Sequence, residues 1–158
     1  MNPPPIVRAL ALAGAVLVAG CGDQNSPPKT ATAGAEKSTT TAALETGAAA
    51  TQHKAPLSEL NVYLDGFHFA SGNPNEQMEA HHYCGALNDE VIQCALYDGN
   101  SEEAHLIGVE YVVSANVFRT LPPDERKLWH SHAYEVTSGQ LIAPDLPIAA
   151  EHTLMDKL

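Results

Sequence analysis

Apolar residues fall into three regimes along this chain. ALALAGAVLVAG (9–20) is an unbroken apolar run. GDQNSPPKTATAGAEKSTTTAALETGAAATQHKAP (22–56) contains almost no large apolar residue. From residue 57 onward, apolar and polar positions interleave as they do in a folded domain. Leu57, Leu60, Leu64 and Phe67 recur at helical spacing, which predicts a helix over 57–72 that stops near Gly72. SGNPN (71–75) is a turn cluster. QMEAHHYC (77–84) and VIQCALYD (91–98) read as strands joined through GALNDE, and AHLIGVEYVV (104–113) reads as a third.

Beyond residue 113 the pattern shortens. SANVF (114–118) opens a short helix with Ser114 as its cap. PPDERKLW (122–129) has proline first, then acids, then bases, the order a helix dipole favours. HAYEV and QLIAP are expected to form a hairpin through Thr137, Ser138 and Gly139, and PIAAEHTLMDKL (147–158) a final helix. Strands with interspersed short helices give an α+β class: a small, mostly antiparallel sheet with short flanking helices.

The apolar run changes the picture of location. At twelve residues it is too short for the roughly 20 needed to span a bilayer, and it suits the apolar core of an export signal behind Arg8. It ends in VAGC (18–21), which resembles a bacterial lipobox. That resemblance implies cleavage before Cys21, a diacylglyceryl group and palmitate-type acylation on Cys21, and stable anchoring by several acyl chains. Gly22, in place of the aspartate that often marks inner-membrane retention, implies the outer membrane of a bacterial cell envelope, facing the periplasm. The expected organisation is a signal peptide (1–20), a lipidated cysteine with a flexible Ala/Thr-rich linker (21–56), and a folded domain (57–158). The linker composition cannot bury enough surface to offset ordering.

Charge excludes one class of partner. The chain carries a formal net charge of −11, and residues 57–158 hold sixteen acids against four bases. Such a domain repels nucleic acid and anionic headgroups, so membrane attachment must come from the lipid anchor.

An exported chain meets an oxidising compartment, and with Cys21 acylated an even pair remains, Cys84 and Cys94. A hairpin turning about Asp89 sets them opposite each other, within reach of a disulfide. Two buried thiols or two metal ligands are the alternatives.

Histidines supply the candidate chemistry. His130 and His132 stand two apart beside the only tryptophan, Trp129, and on a strand both would face one side. In HHYC, His82 shares a face with Ala80 and Cys84. His81 shares one with Glu79 and Tyr83 that looks more exposed, so at most one of this pair should join His130 and His132. Imidazoles with Glu110 or Glu135 would suit zinc, iron or nickel, and three protein ligands plus an open position would permit catalysis. The other reading is structural histidines beside a tryptophan. His68, His105 and His152 lie outside both pairs and read as structural. Asp98 and Glu110 could pair across strands. No GxSxG elbow, P-loop, Rossmann fingerprint or HExxH motif occurs.

HHYCGALNDEVIQCALYD (81–98), HLIGVEYVVS (105–114) and LPPDERKLWHSHAYEVTSG (121–139), in this order, resemble the oil body-associated protein family. The likeness rests on His81, His82, Tyr83, Cys84, Gln93, Cys94, Glu110, Tyr111, Trp129, His130, His132, Glu135 and Gly139. It implies an association with lipid surfaces and no established activity. It also implies a further segment beyond residue 158, so a shortened form of the family's domain is expected. Two functions follow as expectations. The first is an envelope-anchored, non-enzymatic domain that binds a lipid or protein partner. The alternative is a metal-dependent small enzyme or metal-binding protein.

Overall fold

The computed structural model describes residues 31–70 and 72–158. The expected signal peptide, Cys21 and the first part of the linker lie outside the described residues. The described chain builds one five-stranded antiparallel sheet. Strands β1 (Val62–Ala70), β2 (Asn73–Asn88), β3 (Val91–Tyr97) and β4 (Leu106–Val113) form a meander. The short strand β5 (Leu141–Ile142) returns to pair with β1, giving the order β4-β3-β2-β1-β5. The α+β expectation holds.

Six short helices accompany the sheet: α1 (Thr39–Thr51), α2 (Ala55–Ser58), α3 (Ala115–Thr120), α4 (Pro123–Arg126), α5 (Ala133–Ser138) and α6 (Ile148–Met155). Ser114 caps α3 as expected, its side chain accepting from the Val117 N–H. No described helix is long and apolar enough to cross a membrane.

Three local expectations are corrected. Residues 57–72 are not a helix: α2 ends at Ser58, and Val62–Ala70 pairs along β2. The leucine spacing is helical, but Val62, Tyr63, Phe67 and Phe69 are strand formers, and the partner strand decides the outcome. HAYEV is helix α5, not half of a hairpin. It stops at Gly139, whose positive φ of 73° closes the helix in the left-handed region. Within the supposedly element-free linker, Ala-rich α1 forms behind a Ser38 cap, with none of its residues buried.

Alternation divides the sheet. Val62, Leu64, Cys84, Ile92, Cys94 and Leu96 turn to the face packed by Leu141, Ala143, Val136 and the Leu154, Met155 and Leu158 side chains. Cys84 and Cys94 are directly opposed and joined by a disulfide. Truncating the buried Leu64 to alanine would cost about 2–5 kcal/mol. Gly85 is required where the chain after α2 crosses β2: a Cβ there would run into the Glu59 carbonyl oxygen, whereas at Gly66 it would meet only the movable end of Leu141. At the other edge, β4 pairs only with β3 and exposes Leu106, Val109 and Tyr111.

Candidate functional site

The packed face also carries polar groups. His68 projects from β1, His82 from β2 and Glu110 from β4, and His132 enters from the turn that leads into α5. His68 Nε2 and His82 Nε2 are 2.7 Å apart. Glu110 Oε2 lies 3.5 Å from His68 Nε2 and 3.7 Å from His82 Nε2. Its other oxygen, Oε1, lies 3.7 Å from His132 Nε2. Three imidazoles from three segments thus converge on one carboxylate.

Burial keeps these groups out of water. The side chains of His82, His132, Glu110 and His68 are 2%, 12%, 15% and 26% exposed. Burial lowers the pKa of His68 and of His132 below the usual histidine value, against the opposing pull of Glu110. Burial alone would raise Glu110, but the hydrogen bond with His82 and the charges of His82, His132 and His68 bring it below the usual carboxylate value. Metal binding requires neutral imidazoles and an ionised carboxylate, and the shifts of His68, His132 and Glu110 run in those directions. Donor atoms sharing an ion through bonds of about 2.1 Å stand roughly 3.0–3.4 Å apart; those of His68, His82 and Glu110 all lie within 4.8 Å of one another, and His132, on the other Glu110 oxygen, stands beside that group. Buried His82 Nδ1 and His132 Nδ1 have no hydrogen-bond partner among the described residues, so no second contact fixes either tautomer.

Of the sequence candidates, the structure brings His82, His132 and Glu110 together. His130 stands outside: its side chain is 63% exposed and its Nε2 lies 3.8 Å from Glu135 Oε1. The strand argument fails because 128–132 runs irregularly between α4 and α5: the two rings still meet, with centroids 5.3 Å apart, but it is His132 that reaches Glu110. Glu135 faces His130, and its charge also acts on His132. His81, expected to be the more exposed of its pair, is 1% exposed on the opposite face. There Tyr63 stacks on it with an 8° interplanar angle and its hydroxyl meets His81 Nδ1 at 2.7 Å. Burial pushes the Tyr63 hydroxyl up to about 12. Asp65, Glu79 and His81 form a second acid-histidine group on that face. Asp98 pairs with His105 across the β3–β4 loop, not with Glu110.

His68 is the residue the sequence reading missed. Its signal is the alternation Leu64, Gly66, His68, visible only once 62–70 is read as a strand.

A groove of about 570 Å³ opens over this cluster. Glu110, His130 and His132 reach it, and Phe118, Leu128, Trp129 and Tyr111 line its walls. Trp129 Nε1 donates to Glu125 Oε1 at 2.9 Å, which fixes the indole in the wall.

Comparison with known proteins adds the lineage. Residues 54–158 match the family model described as "Protein of unknown function (DUF1264)". The chain is 44% identical over 120 residues to oil body-associated protein 1B of Arabidopsis thaliana, covering 76% of this chain and 50% of that protein. It is 46% identical over 120 residues to oil body-associated protein 1A of Zea mays, with the same coverages. Against oil body-associated protein 2B of Arabidopsis thaliana it is 45% identical over 109 residues, 69% of this chain and 44% of that protein. The chain thus spans about half the length of these curated relatives. No solved structure matches.

Proposed function

This chain belongs to the oil body-associated protein family, and from that premise we propose that its domain is a metal-binding module with a centre formed by His68, His82 and Glu110, with His132 beside it against the other Glu110 oxygen. The observation that carries this reading is that donor atoms of His68, His82 and Glu110 all lie within 4.8 Å of one another, with both imidazole Nε2 atoms facing one Glu110 oxygen at 3.5 and 3.7 Å. Such an imidazole–carboxylate set suits zinc, iron, manganese or nickel. Three protein donors leave one position open in a tetrahedral shell.

The module works at the bacterial envelope in this account. The apolar run 9–20 and VAGC support a lipid anchor on Cys21, and the acidic surface leaves attachment to that anchor. Residues 21–56, including the exposed helix α1, then serve as the tether. A non-metal partner site has one observation in its favour, the exposed apolar groove wall. The metal reading accounts for the buried histidines facing a carboxylate.

The test is metal content. The full chain, expressed in medium supplied with trace metals and purified without a nickel column, should carry close to one transition-metal ion per chain. The paired variant His82→Ala, His132→Ala should carry none while keeping its far-ultraviolet spectrum. A folded wild-type chain that neither carries nor takes up metal overturns the reading.

A further inference from the structure

We infer that a cleft on the sheet face opposite the histidine cluster binds a small organic cation of the quaternary ammonium class. The cleft measures about 280 Å³, and Leu57, Leu60, Tyr83, Tyr97 and Glu102 line it. The inference stands apart from the metal reading and shares no residue with it.

Strand alternation builds the aromatic wall. Tyr83 lies between the buried His82 and Cys84 on β2, and Tyr97 follows the buried Leu96 on β3, so both rings turn away from the packed face. Their centroids are 5.5 Å apart and their planes stand at 89°. Tyr63 packs on Tyr83 with centroids 5.4 Å apart, and its own hydroxyl meets His81 Nδ1, so a buried side chain braces the wall. The loop between β3 and β4 is tied at its base. There the Asp98 N–H donates to the His105 carbonyl at 3.1 Å, and Asp98 Oδ1 accepts from the His105 N–H at 2.7 Å. That closure carries Glu102 to the cleft.

Charge determines the sign of the guest. Among the described residues Glu102 is the one charged group lining the cleft. Residues 57–158 hold sixteen acids against four bases, a field that draws cations and repels anions. A cation lodged in the angle between the two rings can meet an electron-rich ring face, an attraction that grows as water is excluded. Hydration determines the class. A primary ammonium needs acceptors for three N–H groups, and this lining offers one carboxylate among rings and hydrocarbon. A methylated ammonium has no N–H to satisfy, and its methyl groups suit Leu57 and Leu60. Glu103 stands exposed next to Glu102, so a guest that carries its own phosphate, such as a choline lipid head group, meets repulsion there. The occupant is therefore a free cation.

The experiment titrates the full chain with choline, read by calorimetry and by saturation transfer to the choline methyl protons. The comparison ligands are 3,3-dimethylbutan-1-ol, the neutral carbon isostere of choline, and glycerophosphocholine, the soluble head group of a choline lipid. The expected result is that choline saturates a single site and the neutral isostere binds at least about tenfold more weakly. Glu102→Gln and Tyr97→Leu should each weaken choline by about fivefold to tenfold. Glu102 is exposed, so its substitution tests the charge without disturbing the fold. Equal binding of choline and the neutral isostere overturns the inference and leaves an apolar cleft without charge selection. A folded chain that binds no choline overturns it too, as does choline binding that neither variant changes, which would place the cation elsewhere. Glycerophosphocholine binding more tightly than choline would assign the cleft to a lipid head group and overturn the free cation.

Discussion

His68 and His82 stand on neighbouring strands with their Nε2 atoms 2.7 Å apart, and the Glu110 carboxylate faces both from β4. In the metal-free protein only one of the two nitrogens can supply the proton between them. A shared cation removes that conflict and compensates Glu110 at the same time. The account therefore assigns function to residues far apart in sequence and close in the sheet.

The first prediction separates that set from the histidine pair at 130 and 132. His68→Ala and Glu110→Gln should each weaken zinc by more than about a hundredfold, beyond what loss of an outer hydrogen-bond partner costs. His130→Ala should leave zinc affinity within about threefold, since removing an exposed non-ligand costs little. Competition against a chromophoric chelator reads all three. Equal losses from His130→Ala and His68→Ala would return His130 to the ligand set.

Acid should destabilise the metal-free domain. His68 and His132 have folded-state values below their ordinary 6.5, so the unfolded chain binds more protons as pH falls through that value. Stability then drops on acidification. Glu110, lowered below 4.5, acts in the same direction further down: its contribution, complete above 4.5, disappears as pH falls through its folded value. Urea midpoints should fall from pH 7 to pH 5, and His68→Ala should flatten that fall. A midpoint that rises on acidification contradicts the assignment.

Reduction should also cost stability. The Cys84–Cys94 bridge closes a separation of 10 residues, worth about 2–3 kcal/mol by chain entropy. For a domain of this size that corresponds to a melting shift of roughly 10–20 °C. Thermal melts with and without a phosphine reductant measure it. Identical melts would mean that the two sulfurs are not joined in solution.

If Cys21 carries the proposed lipid anchor, replacing it with alanine should move the protein from the membrane fraction to the soluble fraction, since the acidic residues of 57–158 are repelled by anionic headgroups. Fractionation of expressing bacteria reads this. An unchanged membrane fraction would point to another means of attachment.

Much of the fold was legible in the chain. The opposition of Cys84 and Cys94 followed from a hairpin about Asp89, and Ser114, Pro123 and the 104–113 run marked α3, α4 and β4 correctly. The site was legible only in part, and for one reason. Leu57, Leu60, Leu64 and Phe67 fall at helical spacing by coincidence, which hid β1 and with it the inward face of His68. HAYEV lacks a helix-like apolar face, and Gly139, which ends it in the left-handed region, serves equally well in a hairpin turn. Reading strand geometry into 128–132 then placed His130 where only His132 belongs. The burial of His81 depends on the Tyr63 ring stacked over it, a contact no local pattern reveals.

The most direct test of the central claim is anomalous diffraction from crystals of the zinc-loaded chain, measured on both sides of the zinc edge. The account predicts one strong peak about 2.0–2.2 Å from the Nε2 atoms of His68 and His82 and from a Glu110 oxygen. A peak at Asp65, Glu79 and His81 instead, or none within the domain, would contradict it.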